Sequence, residues 1–286
     1  MNAPHNRGIN AVADLLRGIE CVAVAVSGGI DSLTLATIAS RSQGPRAEMF
    51  HAVSPAVPPE ATQRVRDFAA REGWRLHVID AAEFEREEYV SNPSNRCFYC
   101  KRSLYSVIAE STSAQIVSGT NADDLHEYRP GLEAARVHSV RHPYAELGVT
   151  KADIRNMAES LGLGEIASLP ASPCLSSRVE TGIRITPPLL RLIHAAELAV
   201  RGRVAARSIR CRLRKSGVVI EIDGETLSRL TATQRDDMLQ AATRVFAGED
   251  DPYPISLAPY RVGSAFLHKE TLINDEFGRP DAPSCP

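Results

Sequence analysis

No run of about 18 apolar residues occurs in the chain, so no membrane-spanning helix is expected. Positive charge is not in excess: 33 lysines and arginines stand against 35 aspartates and glutamates, a formal net charge of −2. That balance leaves no overall basic footprint for nucleic acid. Met1 to Asn10 are polar and lack the apolar core of a signal peptide, which makes a cytoplasmic protein the expectation. In that compartment the six cysteines argue for metal or sulfur chemistry rather than a disulfide framework. Only one C-x-x-C pair is present, so no paired zinc ribbon is expected. There is no internal repeat. At 286 residues, 43% hydrophobic and 24% charged, the chain suits one large globular domain or two smaller ones.

Against these absences stands one dense stretch. Val22 to Val26 are small or β-branched and run straight into Ser27-Gly28-Gly29-Ile30-Asp31-Ser32. An apolar helical pattern follows at once, from Leu33 to Ala39. The stretch reads as a buried strand, a tight turn and a helix. The glycines let backbone N–H groups face one point and let a ligand come close. The helix N-terminus and the hydroxyls of Ser27 and Ser32 add to a cradle suited to pyrophosphate. The Walker A spacing and its lysine are missing. A plain strand–turn–helix without a ligand is the alternative. The segment is similar to the SGG-x-DS signature of the PP-loop ATP pyrophosphatases, which cleave ATP between the α- and β-phosphates and adenylate a substrate.

Further strands are expected at Ala47–Val53, Trp74–Asp80 and Gln115–Thr120, with helices at Glu60–Arg71 and Cys100–Glu110. A helix over Val12–Arg17 precedes the first strand, Cys21–Val26. Strands alternating with helices imply an α/β fold, a parallel sheet with helices on both faces. Ligands in such sheets sit beyond the carboxyl ends of the strands, so Ser27–Gly29, Ser54 and Gly119–Asn121 should converge. We assign residues 1–182 to this domain. Residues 183–286 read as a smaller α+β domain. It would hold a helix (Leu189–Val200), a hairpin (Ser208–Leu213 and Val218–Ile222), a helix near Thr233–Val245 and a last strand (Pro254–Leu257). The tail after Gly278 is expected to be disordered.

Three groups of residues carry chemistry. Asp123 and Asp124, after the fourth strand, are placed to hold Mg²⁺ and the leaving pyrophosphate; solvated acids at a helix N-cap are the alternative. Cys97 and Cys100 open a helix, and Cys174 lies on a distant loop of small residues. Three unrelated cysteines, a redox pair, an incomplete zinc site completed by His126, His138 or His142, and three ligands of an iron–sulfur cluster all remain open. Cys21, Cys211 and Cys285 look structural or incidental, two in strands and one in the tail. Arg210 and Arg212 alternate along a strand and share one face, suiting phosphate or a solvated surface.

Taken together, the chain resembles the LarE family of ATP-dependent sulfur transferases, which work in making the nickel-pincer nucleotide cofactor of lactate racemase. The resemblance runs from about residue 11 to residue 270. Its marks are Ser27–Ser32, Cys97–Lys101, Gly119–Asp124, Tyr128–Leu132, Thr150–Arg155, Pro173–Arg178, Arg210–Arg212 and Tyr260–Ser264. It implies ATP and Mg²⁺ as cofactors, bound by Ser27, Gly28, Gly29, Asp31, Ser32, Ser54, Gly119 and Asp123. It implies a substrate, pyridinium-3,5-biscarboxylic acid mononucleotide, whose phosphate is held by Arg178, Arg210 and Arg212. A carboxylate is adenylated, and sulfur then displaces AMP. In single-cysteine members the cysteine at position 174 gives up its own sulfur. Three-cysteine members hold a [4Fe–4S] cluster whose open iron carries sulfide, and Cys97, Cys100 and Cys174 would be its ligands here. The family also implies a homo-oligomer, a sulfide donor and a downstream nickel-insertion protein as partners, and neither nucleic acid nor membrane.

Two departures are visible. Thr181 stands where the family has tyrosine, and His142 where Arg-Ser-Pro is expected. The competing reading is a PP-loop tRNA thiolase; the net charge and the lack of a basic, aromatic RNA-binding module speak against it. An amide-forming synthetase would leave the cysteines without work, and a nucleotide-binding regulator would not need Ser27, Asp31 and Asp123 intact.

Overall fold

The computed structural model describes residues 4–126, 130–170, 173–248, 253–261 and 263–265. Tyr128, Arg129, Val262, Cys285, the side chain of His126 and the tail after Gly278 lie outside the described residues. The chain divides into two compact units. The first comprises residues 1–91, 95–175 and 186–191; the second comprises 92–94, 176–185 and 192–286.

The first unit is built on β1 (Val22–Ala25), buried along its whole length. Val22 and Val24 enter one apolar cluster, and Ala23 and Ala25 enter another. A strand buried on both faces reads as a continuous apolar run, which is why this one is plain in the sequence. With β2 (Ala47–Ala52), β3 (Arg75–Ile79) and β4 (Gln115–Ser118) it forms a four-stranded sheet in the order β3-β2-β1-β4, all parallel. Arg141 adds one parallel bridge to Val117 outside β4.

Helices cover both faces. Leu16 of α1 (Pro4–Arg17), Leu33 of α2 (Ile30–Gln43) and Phe68 of α3 (Pro59–Glu72) share the cluster of Val22 and Val24. Tyr105 and Ile108 of α4 (Arg96–Ser111) and Ala134 of α5 (Pro130–Val137) cover Ala23 and Ala25. Ile154 and Met157 of α6 (Lys151–Ser160) return to the first cluster. The strand order reverses at β1, with β2 on one side and β4 on the other, and this is where such sheets bind ligands.

The second unit holds a hairpin of β5 (Ile209–Arg214) and β6 (Gly217–Ile222), with β7 (Ile255–Pro259) parallel to β6. Residues from Leu192 onward of α7 (Pro187–Arg201) belong to it, as does α8 (Ala232–Phe246), started by a Thr231–Gln234 capping box.

The α/β class with a parallel sheet and a second, smaller sheet is as expected. The differences are local. The first helix begins at Pro4, well ahead of Val12, and Cys21 is an exposed residue preceding β1 rather than part of it. Helices α5 and α6 are additional; α5 has eight residues, too few for a clear apolar period. No helix among the described residues is long and apolar enough to cross a membrane.

Candidate functional site

The loop between β1 and α2 is ordered by hydroxyls. The Ser27 N–H donates to Ser32 Oγ at 3.1 Å, and Ser32 Oγ donates to the Gly29 carbonyl at 3.1 Å. Gly29 is the N-cap of α2, and no side chain caps that helix. Its first-turn N–H groups are left for a ligand, and a helix N-terminus favours an anion. Gly28 has a φ of +82°, and a Cβ there would meet the Ala61 carbonyl oxygen at 2.7 Å. A Cβ on Gly119, just past β4, would meet the backbone of Asp31 and Ser32 at 2.9 Å. The ends of β1 and β4 therefore close on each other at the reversal point. Ser54, beyond β2, accepts the Ala56 N–H at 3.2 Å and hydrogen-bonds the buried Glu83.

Lys151 joins the two strand ends. Its Nζ lies 2.5 Å from Asp31 Oδ2, and its backbone N–H donates to Asp123 Oδ2 at 2.8 Å. The Thr150–Asp153 capping box fixes the start of α6 and so puts Lys151 in the first turn. Sequence reasoning did not select Lys151 as a site residue. The T-x-x-D pattern marks a helix start but not what lies in front of it. Burial raises the Asp31 pKa; Lys151 pulls it down and Asp124 pushes it up again. Asp31 Oδ1 is buried with no hydrogen-bond partner. Asp123 spends one oxygen on the N-terminus of α6, and Asp124 Oδ2 accepts the Asn121 N–H at 3.1 Å.

Cys97 and Cys100 lie in the opening turns of α4. Cys174 precedes Leu175, whose N–H donates to the Ala56 carbonyl at 2.8 Å, tying this segment to the loop after β2. Cys97 and Cys100 are free cysteines. Burial raises the Cys97 and Cys100 thiols, and for each the next largest cause is charge on Cys174. The three sulfurs stand within electrostatic reach of one another. Lys101 opposes the shift at both thiols, and its own pKa is raised by Tyr105 and then by the same three sulfurs. Among the described residues, no three cysteine, histidine or carboxylate side chains gather tightly enough to hold a metal ion. His138 and His142 do not complete a zinc site; they hydrogen-bond Ser106 at 3.4 Å and Ser118 at 2.8 Å.

The arginines belong to the second unit. Arg178, Arg210 and Arg212 are 2%, 6% and 3% exposed, so the solvated strand face is ruled out. Arg178 pairs with Glu197 at 2.9 Å and Arg212 with Glu221 at 3.0 Å. The Arg210 guanidinium lies 5.8 Å from the centre of the Tyr260 ring. The three buried guanidiniums share this unit with two buried carboxylates, Glu197 and Glu221. The two ion pairs should respond differently to truncation. Arg178→Ala strands the buried Glu197 and should cost about 3–5 kcal/mol. Arg212→Ala leaves Glu221 paired with Arg214 at 2.9 Å and should cost clearly less in a urea titration.

No family model matches the chain. Uncharacterized protein slr1717 of Synechocystis is 34% identical over 210 residues, 72% of this chain and 78% of that protein. The chain belongs to the same family as that protein. A second relative, uncharacterized protein MJ0830 of Methanocaldococcus jannaschii, is 28% identical over 71% of this chain and 78% of its own length. The pyridinium-3,5-bisthiocarboxylic acid mononucleotide synthase of Lactiplantibacillus plantarum is 28% identical over 65% of this chain and 69% of that enzyme. This last similarity supports placing the family with the LarE-type proteins.

For a member of this family two absent groups can be set against the residues present. The orphaned, buried Asp31 Oδ1, with Asp124 in electrostatic reach, fits a divalent cation, which would supply the missing partner. Three cysteines with mutually interacting sulfurs are the donor type an iron–sulfur cluster takes. Their raised pKa values give a direct prediction. The thiolate is the nucleophile, so a raised pKa means little reactive form near neutral pH. Alkylation of Cys97 and Cys100 in the metal-free protein should be slow at pH 7 and rise by about tenfold per pH unit above it. Peptide mass mapping after a timed iodoacetamide pulse reads both sites; fast, pH-independent labelling would contradict the burial.

Proposed function

We propose that this protein is an ATP-dependent sulfur transferase acting on pyridinium-3,5-biscarboxylic acid mononucleotide in nickel-pincer cofactor biosynthesis. One observation carries the reading: the phosphate-type loop and the interacting cysteines lie in the same unit, with the Cys174 segment bonded to the loop after β2. The similarity to the Lactiplantibacillus synthase supports it.

In the first step a substrate carboxylate oxygen attacks the α-phosphorus of ATP. The bond from that phosphorus to the bridging oxygen breaks, and pyrophosphate leaves. The N–H groups in the first turn of α2 and the hydroxyls of Ser27 and Ser32 hold the departing phosphates. Lys151 offsets the charge that builds on them and keeps Asp31 oriented. Mg²⁺, when bound at Asp31 and the Asp123–Asp124 turn, neutralises phosphate charge. Ser54 and Gly119 line the strand ends beside the nucleotide. In the second step sulfur attacks the acyl carbon, the carbon–oxygen bond to phosphate breaks, and AMP leaves with the electron pair. A [4Fe–4S] cluster held by Cys97, Cys100 and Cys174 would supply sulfide; the other source is the Cys174 sulfur itself. Arg178, Arg210 and Arg212 take the substrate phosphate. The proposal extends to a cytoplasmic homo-oligomer that receives sulfide from a donor and passes its product to a nickel-insertion protein.

The test is pyrophosphate release with ATP and Mg²⁺. Release should depend on the pyridinium biscarboxylate mononucleotide and not on tRNA. Release driven by tRNA, or none with either, would overturn the reading. Arg210→Ala should weaken mononucleotide binding by about 1.5–3 kcal/mol while leaving ATP binding unchanged.

A further inference from the structure

The phosphate loop is gripped from outside by α3, and nothing in the reaction above uses that contact. Arg64, on the second turn of α3, donates from Nη1 to the Gly28 carbonyl oxygen at 2.8 Å. The backbones are already close there, since a Cβ on Gly28 would meet the Ala61 carbonyl oxygen at 2.7 Å. A second tie lies alongside. His51, buried at the end of β2, bonds through Nδ1 to the Val26 carbonyl at 2.8 Å and through Nε2 to Thr62 Oγ1 at 2.9 Å. The helix therefore holds the residue before the loop and the middle of the loop at once.

The Gly28 carbonyl and the Gly29 N–H belong to one trans peptide, so they point in opposite directions. Glycine leaves that peptide free to flip. A flip would present an oxygen to an anion where a hydrogen is needed. We propose that Arg64 is a positioning residue: by holding the Gly28 carbonyl outward it keeps the Gly29 N–H, which donates to Ser27 Oγ at 3.4 Å, on the side of the loop that faces the nucleotide phosphates. The guanidinium suits the task, because its charge strengthens the bond to a neutral carbonyl and its stem spans from α3. The inference rests on the loop binding ATP.

The experiment measures binding of α,β-methylene-ATP with Mg²⁺ by calorimetry, beside thermal unfolding of the ligand-free protein. Wild type, Arg64→Ala and Arg64→Lys are compared. Arg64→Ala should bind at least about tenfold more weakly, with unfolding nearly unchanged, and Arg64→Lys should recover most of the loss because an ammonium can also donate to the carbonyl. In turnover, the KM for ATP should rise in Arg64→Ala while kcat at saturating ATP stays near wild type. Spectra of protein labelled with ¹⁵N-glycine give an independent readout that needs only folded protein. The Gly29 amide should shift on ligand addition in wild type and lose that shift in Arg64→Ala. Wild-type affinity and an unchanged Gly29 shift in Arg64→Ala overturn the proposal. Failure of the wild type to bind the analogue overturns the phosphate-loop reading, and the proposal with it.

Discussion

Cys174→Ala abolishes thiocarboxylate formation while leaving substrate-dependent pyrophosphate release in place. This is the largest effect expected of any single side chain. Adenylation needs only the phosphate loop, Asp31, Lys151 and the substrate, and Cys174 is none of these. Sulfur delivery needs Cys174 under either source, as the donor itself or as a ligand. The two sources part at α4. Cys97→Ala and Cys100→Ala each remove sulfur transfer if a cluster is the source, and leave a single turnover intact if Cys174 gives up its own sulfur. The α4 pair favours the cluster, since a sacrificial cysteine has no need of two more thiols beside it. The visible spectrum of anaerobically purified protein reads the same difference: broad brown absorption in the wild type, absent in each cysteine variant. Loss of the mass of hydrogen sulfide from Cys174 after one turnover, with no absorption, assigns the sulfur to the side chain instead.

The second large effect falls on the phosphate loop. Gly29→Ala should lower ATP-dependent AMP formation by roughly 10²-fold, the scale expected when charge-stabilising donors are displaced. The side chain itself fits: the nearest atom to a Cβ at Gly29 is Ser27 Oγ at 3.6 Å. The fold should therefore persist, and the loss should appear as failed binding of the phosphates. Gly28→Ala is the contrasting control. Its φ of +82° and the Ala61 carbonyl at 2.7 Å leave no room for a Cβ, so that variant should lose stability as well as activity. Thermal unfolding of both variants beside an AMP assay separates them. Gly29→Ala with wild-type turnover would remove the loop from the mechanism.

What could be read from the sequence follows from how local each signal is. The β1 run was legible because burial on both faces leaves no polar alternation to confuse it. That Ser27 and Ser32 share one loop was legible because loop and helix start are contiguous; that their hydroxyls meet at 3.1 Å was not. Lys151 was not, because its partner Asp31 is 120 residues away and no local rule joins α6 to α2. Arg64 and His51 were missed for the same reason: each meets the loop through tertiary packing. The alternation of Arg210 and Arg212 gave their common face correctly. It could not show that Glu197 and Glu221 are buried beside them, which turns an exposed strand face into a buried charge network. The helix start at Cys97 was visible, but the raised thiol pKa values come from burial and from Cys174, both set by the fold.

The central claim is that this one chain activates a carboxylate with ATP and replaces its oxygen by sulfur. The most direct measurement is the mass of the mononucleotide after incubation with the protein, ATP and Mg²⁺ under anaerobic conditions with sulfide. The account predicts a gain equal to the difference between one sulfur and one oxygen atom, with one AMP and one pyrophosphate formed for each substitution. An unchanged mononucleotide mass while AMP accumulates, or sulfur appearing in the product without ATP, would contradict it.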